Sequence, residues 1–459
     1  MLHETPLRKH HEQYVDDLTA ERQARQSDVT ADRPGAASAE IRSHEIPYIP
    51  YAVGDATEAA CELVAAFSDL ELEYSAIRKG CGVFDASHRG TIEVTGSERV
   101  DFLSRMLTQS LDGLAAGDAR ESFWLNRKGR IEADLLLGQF NDPPDADRML
   151  ISVDINQAAS TVETLDAYIF SEDVALRDAS SDYHHLTLDG ALAIDVLRVA
   201  SETPELELEP GRTARVMIRD VPVTAIRRDT VGQPGVELIV AWDETPTVWK
   251  TLLLTDATIG EGKRRIRPIG WYAYNIARIE AGTPIFNVDF GTNNLPHESG
   301  LLHDRVNFKK GCYLGQEVVA RMESLGRPAR LLTGFRMHDD ERQPVAGAQV
   351  FERQDDGSIG GPVGIVTSST ISPLLGAASI GFAMIKTAHA TDGAGVIIDA
   401  DGEQSTATLL PMNRFVEDCN LSQSIGGRNA DSSASASHAA AVDDGADARA
   451  ATDRQGEQP

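Results

Sequence analysis

The apolar and polar positions divide the chain into short strands that alternate with amphipathic helices. In GTIEVTGSERVDFLSRMLTQ (90–109), Ile92 and Val94 alternate with polar residues, which predicts a strand. Gly96 ends it, Ser97 is placed to cap a helix, and Phe102, Leu103, Met106 and Leu107 recur at helical spacing. ESFWLNRKGRIEADLLLGQF (121–140) predicts a hairpin that turns at Asn126 to Gly129. After Gly326 the pattern changes. RLLTGFRM, AQVFER, GPVGIVTSS, ASIGFAMIK and AGVIID are short strands punctuated by Gly, Pro and Asp, which predicts a small β-barrel. The boundary falls near 327, and no internal repeat is evident.

Both ends lack this patterning. Residues 1–44 are polar and show no apolar face, so they are expected to form a mobile extension. Residues 419–459 contain almost no large apolar side chains and are expected to be disordered. Between them lie a body of mixed sheets and helices at 45–326, in two intertwined subdomains, and the barrel at 327–418. The fold class is therefore α+β with acidic, disordered tails.

Charge changes this picture more than composition does. Asp and Glu number 71 against 43 Lys and Arg, a net charge of −28 over 459 residues. Only eight basic residues are lysine: Lys9, Lys79, Lys128, Lys250, Lys263, Lys309, Lys310 and Lys386. Salt screens such self-repulsion, with a Debye length of about 3 Å at 1 M, so a halophilic cytoplasm is the expected setting. The same acidity argues against a broad nucleic-acid footprint, which needs a basic stripe. The cysteines Cys61, Cys81, Cys312 and Cys419 are widely spread, with no C-x-x-C pair, so neither a metal site nor a disulfide framework is expected. No apolar stretch reaches the length of a membrane span and the start has no secretory h-region, which predicts a cytosolic protein. No phosphate-cradling loop or dinucleotide fingerprint is present.

Three stretches taken together resemble the glycine-cleavage T-protein superfamily of folate-binding aminomethyltransferases. They are GVFDASHRGTIEVTGSERVDFLSRMLTQ (82–109), NIARIEAGTP (275–284) and GPVGIVTSSTISPLLGAASIGFAMI (361–385). A fourth, KKGCYLGQEVVAR (309–321), resembles the KGC-[YF]-x-GQE-x-x-x-R motif of the YgfZ branch, which includes iron–sulfur assembly factors. T-proteins proper carry Asp where Cys312 stands.

The resemblance implies tetrahydrofolate as cofactor and a set of residues to hold it. Glu237 corresponds to a folate-contacting glutamate. It lies in the apolar strand GVELIVA, where a carboxylate is costly unless paired. A carboxylate suits the amino group and ring N–H that a pterin presents side by side. An edge-strand Glu facing water is the structural alternative. The family's tyrosine and first Glu in this segment are Thr230 and Gln233 here. Arg278 corresponds to a folate-contacting arginine, with an intramolecular carboxylate pair as its structural alternative. Met106 is the third implied folate contact. Asp134 corresponds to the catalytic aspartate, which stabilises an iminium-like carbon or takes up a proton. T-proteins show two acids in a row there; this chain has Ala133 then Asp134. A structural strand Asp is its alternative.

Cys312 is the second catalytic candidate. Lys309 and Lys310 would lower its thiol pKa, and Gly311 and Gly315 permit an exposed turn around Tyr313. A single Cys cannot hold an iron–sulfur cluster, and a small buried residue is the alternative. Gln316, Glu317 and Arg321 are then expected to form a network at a helix start. His88 is expected to be structural.

Three functions compete. The first, favoured by the Cys312 motif, is a YgfZ-like factor supporting iron–sulfur proteins and, through them, tRNA modification. The second is an aminomethyltransferase that takes a one-carbon unit from a lipoyl carrier protein. The third is a folate-binding scaffold without chemistry.

Overall fold

The computed structural model describes residues 3–32, 45–51, 60–140, 148–255, 265–339 and 342–419. The body holds two sheets. A six-stranded sheet runs Thr213–Ile218, Val221–Arg227, Gly235–Ala241, Tyr183–Asp189, Cys81–Asp85 and Ile266–Ile269, the last pair parallel. A five-stranded sheet runs Ala119–Leu125, Ile131–Gln139, Arg148–Asp154, Arg89–Thr95 and Ala175–Asp178. Six further strands between Arg330 and Leu410 close into the barrel. This is the α+β architecture the pattern predicts. The barrel's sixth strand, Glu403–Leu410, escaped the sequence reading because EQSTATLL alternates small polar residues with a single apolar pair.

The hairpin Ala119–Leu125/Ile131–Gln139 turns where expected. Asn126 Oδ1 accepts the backbone N–H groups of Lys128 and Arg130, and Gly129 takes φ +71°, which an L side chain rarely adopts. The two body sheets pack face to face through Ala119, Leu136, Leu150, Ile226 and Ile239. Burying such an apolar set contributes about 25 cal/mol per Å² and fixes which faces meet. That contact sets the distance between the polar side chains described next.

The body and barrel are joined through the helix Trp271–Glu280. Arg278, fully buried, donates to Asp289 Oδ2 (2.6 Å), Ser368 Oγ (2.6 Å), Asn275 Oδ1 (2.9 Å) and the Thr283 carbonyl (3.2 Å). Glu280, two residues on, accepts from Tyr74, Arg78 and Ser372.

The start of the chain departs from expectation. Residues 8–32 are a helix, and Leu7, His11 and Val15 are buried at a spacing of four. The sequence hid this face because one of its three buried positions is histidine. The His11 ring packs edge-on against Phe67 (5.0 Å) and Trp249 (5.2 Å) and faces Asp85 at 3.4 Å. Burial lowers its pKa to about 4 despite Asp85. The rest of the expected mobile extension, 33–44, and the expected disordered tail from 420 on lie outside the described residues. Among the described residues no helix is long and apolar enough to cross a membrane.

Candidate functional site

A cavity of about 220 Å³ opens between the two body sheets, lined among others by Gln109, Arg120, Glu121, Leu136, Arg228 and Arg305. Arg228 and Thr230 also line an adjoining space of about 20 Å³, with His88, Asp189, Glu237 and Tyr274.

A continuous chain of ion pairs runs through these walls. Asp134 Oδ1 accepts from Arg305 Nε at 2.8 Å. The two terminal nitrogens of Arg305 donate to both oxygens of Glu121, at 2.7 and 3.0 Å, the fork geometry that suits guanidinium and carboxylate. Glu121 also accepts from Arg228 Nε at 3.1 Å, and Arg228 reaches on to Glu237 Oε2 at 3.2 Å. Glu237 Oε1 accepts from His185 Nδ1 at 2.9 Å and from the Ser152 hydroxyl, which in turn accepts from Arg89. Arg89 itself stands 3.7 Å from Glu237. Three carboxylates thus alternate with three guanidinium groups. Each buried charge has an opposite neighbour, which is the condition for keeping it ionised away from water.

The local fold places each member. Glu121 pairs across the hairpin with Leu136, and Asp134 pairs with Phe123, so Glu121 and Asp134 are diagonal neighbours on one face. Arg305 ends the short helix Leu302–Arg305, whose last carbonyl accepts the Thr108 hydroxyl at 2.6 Å. Arg228 follows the strand Val221–Arg227, and its N–H bonds back to the Gly235 carbonyl.

These neighbours decide the ionisation states. Burial pushes the Glu237 carboxyl up, but Arg89, His185 and Arg228 together hold it well below its ordinary value. Glu121 is lowered in the same way, against its burial, by Arg305 and Arg228. Burial lowers His185 in spite of Glu237, so the ring is neutral. A carboxylate can only accept, so Nδ1 carries the proton and Nε2 accepts from the Thr91 hydroxyl at 2.7 Å.

The structure places the residues singled out in the sequence as follows. Glu237 lies on an interior strand of the sheet, so the edge-strand alternative falls away, and its Oε1 is already occupied by neighbouring side chains. One lone pair on Oε2 is left for a ligand. Asp134 stands behind Arg305 rather than among the lining residues. Arg278 is in the joint to the barrel, away from the cavity lining, and pairs with Asp289 rather than with Glu280. Met106 packs with Phe102, Leu103 and Leu107 in the cluster under the five-stranded sheet.

The Cys312 segment forms an outer loop. Cys312 and Gly311 are exposed, and Cys312 is not among the cavity-lining residues. The Lys310 ammonium donates to the carbonyls of Ser104, Leu107 and Gln109 at the end of the helix Arg99–Met106, so it is spent on that helix terminus. Its burial lowers it to about 8, and it lies 5.3 Å from the centre of the Tyr313 ring. Gly315 takes φ +79°, and a Cβ there would meet the Asn126 carbonyl at 2.7 Å, so the loop sits hard against the hairpin turn. In the helix Gln316–Leu325, Gln316, Glu317 and Arg321 form no side-chain network among the described residues, which corrects that expectation. Glu317 and Arg321 face outward.

Glu121, Arg228, Arg305 and Asp189 were not foreseen. Only Glu121 had a signal, since the hairpin turn puts it on the same face as Asp134.

Comparison with known proteins gives a consistent picture. Residues 35–310 match the GCVT N-terminal domain, and residues 330–415 match the glycine cleavage T-protein C-terminal barrel domain. The aminomethyltransferase of Shouchella clausii (strain KSM-K16) is 27% identical over 350 residues, covering 76% of this chain and 90% of that protein. That of Geobacillus kaustophilus (strain HTA426) is 29% identical over 352 residues, covering 76% and 92%. The crystal structure of glycine cleavage system aminomethyltransferase T from Bartonella henselae shares the fold at TM-score 0.68 and 22% identity, over 81% of this chain and 95% of that one.

Proposed function

The chain belongs to the glycine-cleavage T-protein family through both of its matched regions, and we propose on that footing that it transfers a one-carbon unit from an aminomethylated lipoyl carrier protein to tetrahydrofolate. The observation that carries this reading is the cavity between the sheets, walled by Arg228, Arg305 and Glu121 with Asp134 directly behind. The relatives named aminomethyltransferase span nearly their whole length on this chain, which supports the same reading over the YgfZ-like one.

The residues present fit a folate. At about 220 Å³ the cavity is smaller than the roughly 300–1,000 Å³ that encloses a drug-sized ligand. It takes the ring end and leaves an anionic tail at the mouth. Arg120 lines the cavity wall, its guanidinium donating to the Ala119 carbonyl and having no carboxylate partner among the described residues, which leaves it to meet that tail.

In the balanced reaction, two N–H groups of tetrahydrofolate become N–C bonds to the transferred carbon, while its bonds to the donor's sulfur and nitrogen break and release thiol and ammonia. Positive charge builds on that carbon as the amine leaves. Asp134 and Glu121 supply fixed negative charge on either side of Arg305, whose hydrogen bonds hold both carboxylates in place without reorganising during the reaction. The test is tetrahydrofolate binding by calorimetry, followed by single-turnover transfer from the aminomethylated carrier. Asp134→Asn is expected to lower transfer about 100-fold with folate affinity retained. Transfer at the wild-type rate would sink the assignment.

A second reading rests on the Cys312 loop, which is exposed along with Glu317 and Arg321. It suits a contact surface for an iron–sulfur protein. Unchanged iron–sulfur enzyme activity in a host carrying Cys312→Ala would remove it. The acidity and lysine scarcity support a salt-rich cytoplasm; complete folding in dilute buffer would argue against one.

A further inference from the structure

The buried carboxyls around the cavity differ in what holds them. Glu237, Glu121 and Asp134 each lie against an arginine. Asp229 is bound by Arg227 at 2.5 Å and by the Gly235 N–H at 2.8 Å. Asp189 has no such partner. It ends the strand Tyr183–Asp189, is 1% exposed, and its carboxyl meets only two hydroxyls among the described residues, Thr187 and Thr230. Hydroxyl donors do not require the charged form. Burial raises the Asp189 carboxyl to about 7, with Thr187 and Thr230 opposing. When protonated, a carboxyl offers one donor and one acceptor side by side, which a carboxylate cannot.

A second group in the same small space is also unsatisfied. His88 is 6% exposed, lines that space with Asp189, and its Nδ1 has no hydrogen-bond partner among the described residues. Burial lowers it to about 3, so the ring is neutral. A buried polar nitrogen left unpaired is destabilising, so the site is short of a partner there.

We propose that Asp189, assisted by His88, reads the lactam edge of a ring whose inner end reaches from the cavity into the adjoining space these two residues line, its carboxyl O–H donating to the ring carbonyl and its C=O accepting the adjacent ring N–H. This rests on the folate reading above. It transfers edge recognition from Glu237, whose oxygens are largely taken, to a carboxyl that is available. The groups facing Asp189 come from several elements: Arg228 and Asp229 from the connection after Val221–Arg227, Glu237 from one neighbouring strand, Cys81 from the other, and Tyr274 from the helix Trp271–Glu280. Glu237 stays ionised, burial holds the Tyr274 and Cys81 protons, and His88 stays neutral between pH 6 and 8.

The test measures tetrahydrofolate binding to the full chain by calorimetry at pH 6 and pH 8, with near-ultraviolet circular dichroism and thermal melting to verify folding. Wild-type affinity is expected to fall about tenfold from pH 6 to pH 8, the loss linkage gives for a group that must be protonated to bind. Asp189→Asn, which keeps a donor and an acceptor at every pH, is expected to abolish that dependence. Asp189→Leu is expected to weaken binding at least tenfold at pH 6. If wild-type affinity is independent of pH, or folded Asp189→Leu binds like wild type, the inference fails while the folate reading stands. Should Asp189→Leu not fold, the pH dependence of wild type against Asp189→Asn decides alone. No binding by wild type at either pH overturns the folate reading and this inference together.

Discussion

Two of the buried sets of arginine–carboxylate pairs among the described residues do different work. At the joint between body and barrel, Arg278 spends its donors on Asp289, Ser368, Asn275 and the Thr283 carbonyl. Between the body sheets, Arg305 and Arg228 are also paired, but they line an open cavity. The chemistry of the pairs is the same. Access differs, and access separates a structural clamp from a binding wall. The motif NIARIEAG looks like a folate contact in sequence because its arginine corresponds to the one that contacts folate in the family it resembles. In the fold it holds two parts of the chain together.

The largest effect should therefore come from the closed pair. Arg278→Met strands Asp289 as a buried uncompensated charge and should destabilise by about 3–5 kcal/mol in denaturant unfolding. Folate affinity of the remaining folded protein should be unchanged; a specific loss of affinity would return Arg278 to the binding site. The open set should show the opposite split. Glu121→Gln removes one carboxylate between Arg305 and Arg228, and transfer should fall about 100-fold with little change in melting temperature. A large melting shift with normal transfer would make Glu121 a clamp like Asp289.

Acid sharpens the comparison further. The folded Glu237 carboxyl is depressed, because Arg89, His185 and Arg228 outweigh its burial. A depressed carboxyl contributes stability that is present above its ordinary value of 4.5 and is lost as pH falls below it. Wild type should lose stability below that pH, and Glu237→Gln should flatten the profile there. An unchanged slope in the variant would mean that Glu237 is not held ionised. The smallest effect belongs to a residue outside both sets. Cys312→Ala, on an exposed loop, should shift stability by less than about 0.5 kcal/mol and leave folate binding intact.

How far the sequence was readable follows from the range of each interaction. The strand at Ile92 and Val94, the helix at Phe102 to Leu107, the turn at Asn126 to Gly129 and most of the barrel were legible, since alternation and turn chemistry act over a few residues. The docked helix from Arg8 was not, because a buried histidine reads as polar until Phe67 and Trp249 are known to cover it. Within the site, Asp134 and Glu237 could be named because their local segments resemble the family's motifs. Their partners could not, since Asp134 and Arg305 are 171 positions apart.

Charge, strand and helix periods and the carboxylates themselves were thus determined by the sequence alone. Which carboxyl is ionised, which arginine is closed off and which faces a cavity was decided only by the packing of the two sheets. Burial penalises every one of these groups alike, and only the identity of the neighbour brought close by the fold settles whether charge survives.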